Sequence, residues 1–136
     1  MKRSYTRWLP AVLLMVIIFL ASNTPGSSIP NFGAWDAVLK KAGHVSIYCL
    51  LAIAYWYGLR FERSRWWMAL LPAVLYAITD EFHQAFIPGR HSSWVDVAVF
   101  DSGGAILGLL ITAWRMKKKT NGAGSSPHSS SRTGGQ

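Results

Sequence analysis

The chain has 136 residues, 51% of them hydrophobic, and a formal charge of +8 at pH 7. Its length fits one domain, and its only cysteine, Cys49, rules out a disulfide within the chain. No stretch interleaves basic and aromatic residues on one soluble face, so a nucleic-acid partner is not expected.

Lys2, Arg3 and Arg7 precede LPAVLLMVIIFLA, and no charged residue occurs from Trp8 to Trp35. This pattern predicts a first membrane helix. It also resembles the basic and apolar regions of a secretion signal. The small-x-small pattern is poor near Ala21-Ser22-Asn23, however, and cleavage would leave the termini on opposite sides, so the helix is expected to be retained. Ser22 to Lys41 reads as an outer loop broken by Pro25, Gly26 and Pro30, with a short interfacial helix near Trp35.

Ala42 to Leu59 predicts a second span, in which His44 is the one ionisable group besides Cys49 and the tyrosines. Cys49 fits there as a small packing residue. The turn Arg60-Phe-Glu-Arg-Ser-Arg65 is short, which makes the second and third helices antiparallel neighbours. Trp56, Tyr57, Trp66 and Trp67 flank it as an aromatic belt. Trp66 to Phe86 predicts the third span, kinked at Pro72 and ended by Pro88-Gly89. Ser93-Trp-Val-Asp96 has the spacing of a capping box. Val97 to Trp114 is the fourth span, interrupted only by Asp101. From Lys117 the composition predicts a disordered cytoplasmic tail, dividing the chain into a membrane domain, 1–116, and a tail, 117–136.

Four such stretches can each cross a hydrocarbon core, which takes roughly 20 residues at about 1.5 Å each. They lack the polar stripe of a soluble bundle. The expected fold is therefore all-α, an integral membrane bundle of four transmembrane helices. Ten basic residues flank the ends that would be cytoplasmic (Lys2, Arg3, Arg7, Arg60, Arg63, Arg65, Arg115, Lys117, Lys118 and Lys119). Three lie on the other side (Lys40, Lys41 and Arg90), with Arg132 in the distant tail. The positive-inside rule then places both termini in the cytoplasm.

Ionisable residues within such spans each cost several kcal/mol by most estimates, so their positions matter. Counted along a helix, His44 lies about 24 Å from Arg60, Asp80 about 22 Å from Arg65, and Asp101 about 21 Å from Arg115. Three helices thus put an ionisable group at nearly one level, below the outer boundary of a ~30 Å core. Glu81 belongs to this layer, while His83, Gln84, Arg90 and Asp96 lie just above it. Asp101, Gly104, Ala105, Gly108 and Thr112 share a small-residue face that suits close helix packing. Tyr76, Asp80 and Gln84 share another at i, i+4 spacing, as do His44 and Tyr48. Convergence on an outward-open pocket is the expectation. Singly, His44 reads as a packing histidine, Asp96 as a cap and Arg90 as a surface charge; together they read as a site.

The same residues resemble a known family. The run Lys40-Lys41-Ala-Gly-His44, with Tyr48 four residues on, is similar to one of its patterns. Asp80-Glu81-Phe-His-Gln84, Pro88-Gly89-Arg90, Asp96, Asp101-Ser-Gly-Gly104 and Gly108 resemble the core of the VanZ-like family over about Lys40 to Gly108. Ser22 falls where that family often has a serine. Many relatives have an acidic residue at the position of Lys40, and Asn is common at that of Asp101. The resemblance implies a small bacterial multi-pass protein of the cytoplasmic membrane. The family's namesake is linked to resistance to teicoplanin, a lipidated glycopeptide, and no established catalytic activity is implied. The residues carried over as ligand-binding are His44, Tyr48, Asp80, Glu81, Gln84, Arg90, Asp96 and Asp101.

Three function classes follow. The first is binding or exclusion of an amphiphilic envelope ligand, such as a lipoglycopeptide or a lipid-linked cell-wall component, with Arg90 on a phosphate or carboxylate. The second is a membrane enzyme using His44 with Glu81 or Asp80 as acid and base; Ser22 or Ser92 as a nucleophile has no activating neighbour in the sequence. The third is proton movement, which is not expected because the inner halves of the helices carry no polar path. His44, Glu81 and Asp101 are residue types that metals accept, yet no ligand-spacing motif supports a site, and neither metal nor cofactor is expected. The bilayer is the assured partner, and a homodimer would enlarge the small volume four short helices enclose.

Overall fold

The computed structural model describes residues 5–90 and 92–123. Among these residues there are four long helices: α1 Leu9–Ser22, α2 Asp36–Gly58, α3 Trp66–Gln84 and α4 Ser102–Ala123. A π-helical segment, Asp96–Asp101, leads into α4. Short 3-10 turns precede the other three, including Gly33–Trp35 before α2, where the interfacial helix was expected. The all-α fold and its four helices agree with the sequence reading.

Among the described residues, three stretches are long and apolar enough to cross a membrane: Tyr5–Ser22, Gly33–Gly58 and Asp96–Asn121. α3 is not among them, since its last turn-and-a-half carries Asp80, Glu81, His83 and Gln84. Much of the remaining surface is apolar. On α1, Val12, Leu13, Val16, Ile17, Phe19 and Leu20 are exposed, and only Ala11, Ile18 and Ser22 are buried. Such a face is stable against lipid tails, where backbone groups are already satisfied within the helix. This is a multi-pass membrane protein.

α2 occupies the centre and touches all three other helices, most extensively α4. The close approach comes from glycines. A Cβ on Gly104 would sit 2.4 Å from the Val45 carbonyl oxygen, and one on Gly108 2.5 Å from that of Cys49. Successive turns of α4 therefore rest on successive turns of α2, with Cys49 packed at the contact. Small residues permit this in a membrane, where helix association relies on van der Waals contact. Leu51, Ala52, Ala69, Ala73, Ala77 and Ala105 fill the core.

α2 begins at Asp36, six residues before the apolar run that announced it in the sequence. Asp36 lies in the first turn, where its charge suits the helix dipole, and pairs with Lys40 at 2.6 Å. At the other end the Phe61 N–H donates to the Trp56 carbonyl, and Arg60 and Phe61 both adopt positive φ, 62° and 55°. Trp56 Nε1 reaches the Glu62 carbonyl at 2.9 Å, closing the turn to α3 around a buried indole. α4 continues through Lys117 to Ala123, so the expected boundary at 117 falls inside a helix. The remaining tail, 124–136, lies outside the described residues.

Candidate functional site

At the end of the bundle opposite the Arg60–Arg65 turn, five polar side chains among the described residues are buried: Ser22, Asp80, Glu81, Gln84 and Asp101, none more than 6% exposed. They come from α1, α3 and the π-helical segment, with His44 and Tyr48 of α2 between them. The shared depth counted from the sequence becomes contact.

His44 Nδ1 lies 2.9 Å from Asp101 Oδ1, the imidazole donating to the carboxylate. Asp101 is 2% exposed, whereas the His44 ring keeps about a quarter of its surface. Tyr48 stacks near His44, their centroids 6.4 Å apart. Its hydroxyl donates to Asp80 Oδ2 at 3.2 Å. Gln84 Nε2 donates to the same oxygen at 3.0 Å and to Ser22 Oγ at 3.3 Å. One chain of hydrogen bonds therefore ties α2 to α3 and α3 to α1. Asp80 is held by neutral donors; Asp101 is held by an imidazole. The expected partners of His44, Asp80 and Glu81, are thus engaged elsewhere.

Glu81 turns to the start of the fourth helix, where Oε1 accepts the Ser93 backbone N–H. That bond explains why the capping box is only half made. Ser93 Oγ accepts from the Asp96 N–H at 3.4 Å, but the reciprocal donor, the Ser93 N–H, is taken by Glu81. Asp96 instead faces Lys41 of α2 at 3.9 Å. The π-helical bonding between these points has a positional effect. A π turn bonds i to i+5, which brings Asp96 and Asp101 towards one face, opposite Lys41 and His44 at i, i+3 on α2. An α-helix would have directed the two aspartates well apart. No local signal in the sequence announced this segment.

Arg90 lines the same end but binds inward. Its Nε and Nη2 donate to the carbonyls of Thr24 and Ala21, at 3.2 and 2.6 Å. Ala21 lies in the last turn of α1, whose carbonyls a cation suits, and Thr24 lies just beyond the helix end. The Pro88-Gly89 turn approaches the preceding loop closely: the Gly26 N–H donates to the Pro88 carbonyl at 3.0 Å, and a Cβ on Gly26 would meet the Gly89 oxygen at 1.8 Å. Tyr76 does not join the polar layer. Its hydroxyl reaches back to the Met15 carbonyl of α1 at 2.6 Å. His83 stacks on Phe19, centroids 5.1 Å apart.

Between these elements lies a cavity of about 740 Å³, lined by Ser22, Lys41, His44, Tyr48, Asp80, Glu81, Gln84, Arg90 and Asp96, and by apolar groups including Ile17, Ile18, Leu39 and Ile47. Seven of the eight sequence-predicted ligand residues border it; Asp101 stands behind His44. Lys40, Lys41 and Asp36, within the stretch that the sequence predicts as an outer loop, also line it. Among the described residues no three His, Cys, Asp or Glu side chains are grouped to hold a metal ion.

A model of one protein family, described as VanZ/LLP1, matches residues 7–116. The chain belongs to the VanZ/LLP1 family. α1, α2, α3, the π-helical segment and the whole polar layer fall within the matched span, which ends inside α4. Searches among curated proteins and among solved structures gave no match. Within this VanZ/LLP1 domain, the arrangement offers two kinds of chemistry. It can hydrogen-bond the polar head of a ligand through several donors and acceptors, and it presents an imidazole whose Nδ1 is fixed by a buried carboxylate.

Proposed function

We propose that this VanZ/LLP1 protein binds the polar head of an amphiphilic envelope molecule at its buried polar end, while the molecule's acyl chain lies in the bilayer. The observation that carries this reading is the composition of the 740 Å³ cavity: charged and polar groups at one level, apolar groups of α1 and α2 beside them. A lipoglycopeptide of the teicoplanin type, or a lipid-linked cell-wall component, has that build. On this reading the basic turn and both termini lie in the cytoplasm of a bacterial cell and the cavity opens outward. α3 crosses the membrane with the others, because Asp80, Glu81 and Gln84 face protein rather than lipid. His44, Tyr48, Glu81, Gln84 and Asp96 contact the head directly. Arg90 holds the outer loop on α1 and presents any remaining donor to a phosphate or carboxylate.

Glu81→Gln is the informative variant. An amide oxygen still accepts the Ser93 N–H, so the start of the fourth helix is kept while the charge is lost. Cells relying on the protein for protection against teicoplanin should lose it at unchanged protein level. Full protection in that variant would overturn the binding pocket.

The His44–Asp101 pair favours a second reading, an enzyme acting on a lipid-linked substrate. A carboxylate holding Nδ1 orients an imidazole so that Nε2 can accept and return a proton. On this reading Asp101 orients His44 from behind, and Glu81 or Asp80 is the second acid–base group. Turnover of an envelope lipid by purified protein, abolished in His44→Ala with ligand still bound, would decide for catalysis. Binding without turnover decides for the first reading.

A further inference from the structure

The opposite end of the bundle holds a second feature, separate from the polar cavity. A groove of about 300 Å³ runs between α4 and the turn joining α2 to α3, walled by Trp56, Trp66, Ile106, Leu109 and Ala113. One charged side chain borders it, Arg63, whose Nη2 donates to the Ala113 carbonyl at 3.3 Å. The groove is otherwise apolar, and its basic rim continues outward. Arg60, Arg63 and Arg65 are exposed on the turn, Arg115 and Lys117 to Lys119 follow on α4, and Lys118 Nζ lies over the Trp114 ring at 5.6 Å. The one carboxylate in the turn, Glu62, is already paired with Arg65 at 3.0 Å.

We infer that this groove is a binding site for an anionic phospholipid, one acyl chain lying along Trp66, Leu109 and Ala113 and the phosphate at Arg63. Each half of the ligand has its counterpart. A free phosphate would leave the apolar wall unused, and a zwitterionic lipid would place its ammonium among guanidinium groups. Arg63 suits the headgroup because its fixed planar donors can serve a phosphate and a carbonyl together. Trp56 makes the wall rigid: it is 1% exposed and anchored by its indole N–H.

The test is lipid selectivity of the full-length protein reconstituted in mixed phosphatidylglycerol and phosphatidylcholine bilayers, read by electron spin resonance of chain-labelled lipids of each headgroup. The protein should show a motionally restricted component that prefers phosphatidylglycerol. Arg63→Gln should lower that preference by about fivefold, as expected for one basic group near an anionic surface. Lys119→Gln, which removes a charge outside the groove, should lower it less. Ala113→Phe fills the groove without touching charge and should remove the restricted phosphatidylglycerol while far-ultraviolet circular dichroism stays unchanged. The inference is overturned if Arg63→Gln and Lys119→Gln act equally, or if Ala113→Phe retains the full preference, since either result means diffuse attraction to the basic rim.

Discussion

Polar groups at the basic turn find partners nearby in sequence or on backbone: Glu62 with Ser64 and Arg65, the Trp56 indole with the Glu62 carbonyl, Arg63 with the Ala113 carbonyl. At the other end the partners lie 32, 57 and 62 residues apart, in the pairs Tyr48–Asp80, His44–Asp101 and Ser22–Gln84. The turn's polar contacts are thus mostly made within a few residues or to backbone. The polar layer exists only when the helices pack in one register. Buried polar groups without partners are expensive, so this network makes correct packing a condition of stability as well as a source of a site.

The largest effect is expected where packing sets that register. Gly104→Val would place a side chain against the Val45 backbone, which cannot move aside. It should destabilise the protein by about 3 kcal/mol in thermal unfolding in detergent, and should separate His44 from Asp101. Gly103→Ala is the control, because a Cβ there meets nothing within 4 Å. Its stability should hold or rise by up to about 1 kcal/mol. Equal losses at the two positions would show that the glycine contact does not set the helix spacing.

Removing one member of the buried network should come next. Asp101→Leu leaves the His44 Nδ1 donor without its acceptor and should cost about 2 kcal/mol. His44→Phe combined with Asp101→Leu should recover part of that loss, since neither polar partner then remains. Additive losses in the double variant would mean the pair is not energetically coupled. Tyr48→Phe deletes one donor to Asp80, which keeps Gln84, and should cost about 1 kcal/mol. Glu62→Gln, at the basic turn, should change stability by less than about 1 kcal/mol, because both members of that ion pair are half exposed. A loss there as large as at Asp101 would erase the distinction between the two ends.

How far the sequence could be read depended on the kind of question. The glycine face of α4 was legible, since Gly104 and Gly108 recur at i, i+4 in an apolar run and small residues there have few other uses. The level of His44, Asp80 and Asp101 was legible because rise along a helix is fixed. Their pairing was not. Tyr76, Asp80 and Gln84 share a face by spacing, yet Tyr76 binds α1 backbone while the other two join the network. Arg90 looked like a group for an external anion, but two of its nitrogens bind carbonyls at and just after the end of α1. The capping box was half right, because a glutamate from another helix competes for its second donor.

The sequence by itself determined that this is an all-α membrane protein with apolar spans, a basic asymmetry and polar groups at one depth. Those properties follow from composition, chain length and the constant rise of a helix, which need no knowledge of neighbours. Only the tertiary structure decided that Asp101 stands behind His44, that Asp80 gathers Tyr48 and Gln84, and that a π-helical turn brings Asp96 and Asp101 to face α2. Those choices depend on the rotation of each helix about its axis and on the distance between axes. Both are set by side chains on two helices at once, as where Gly104 meets Val45.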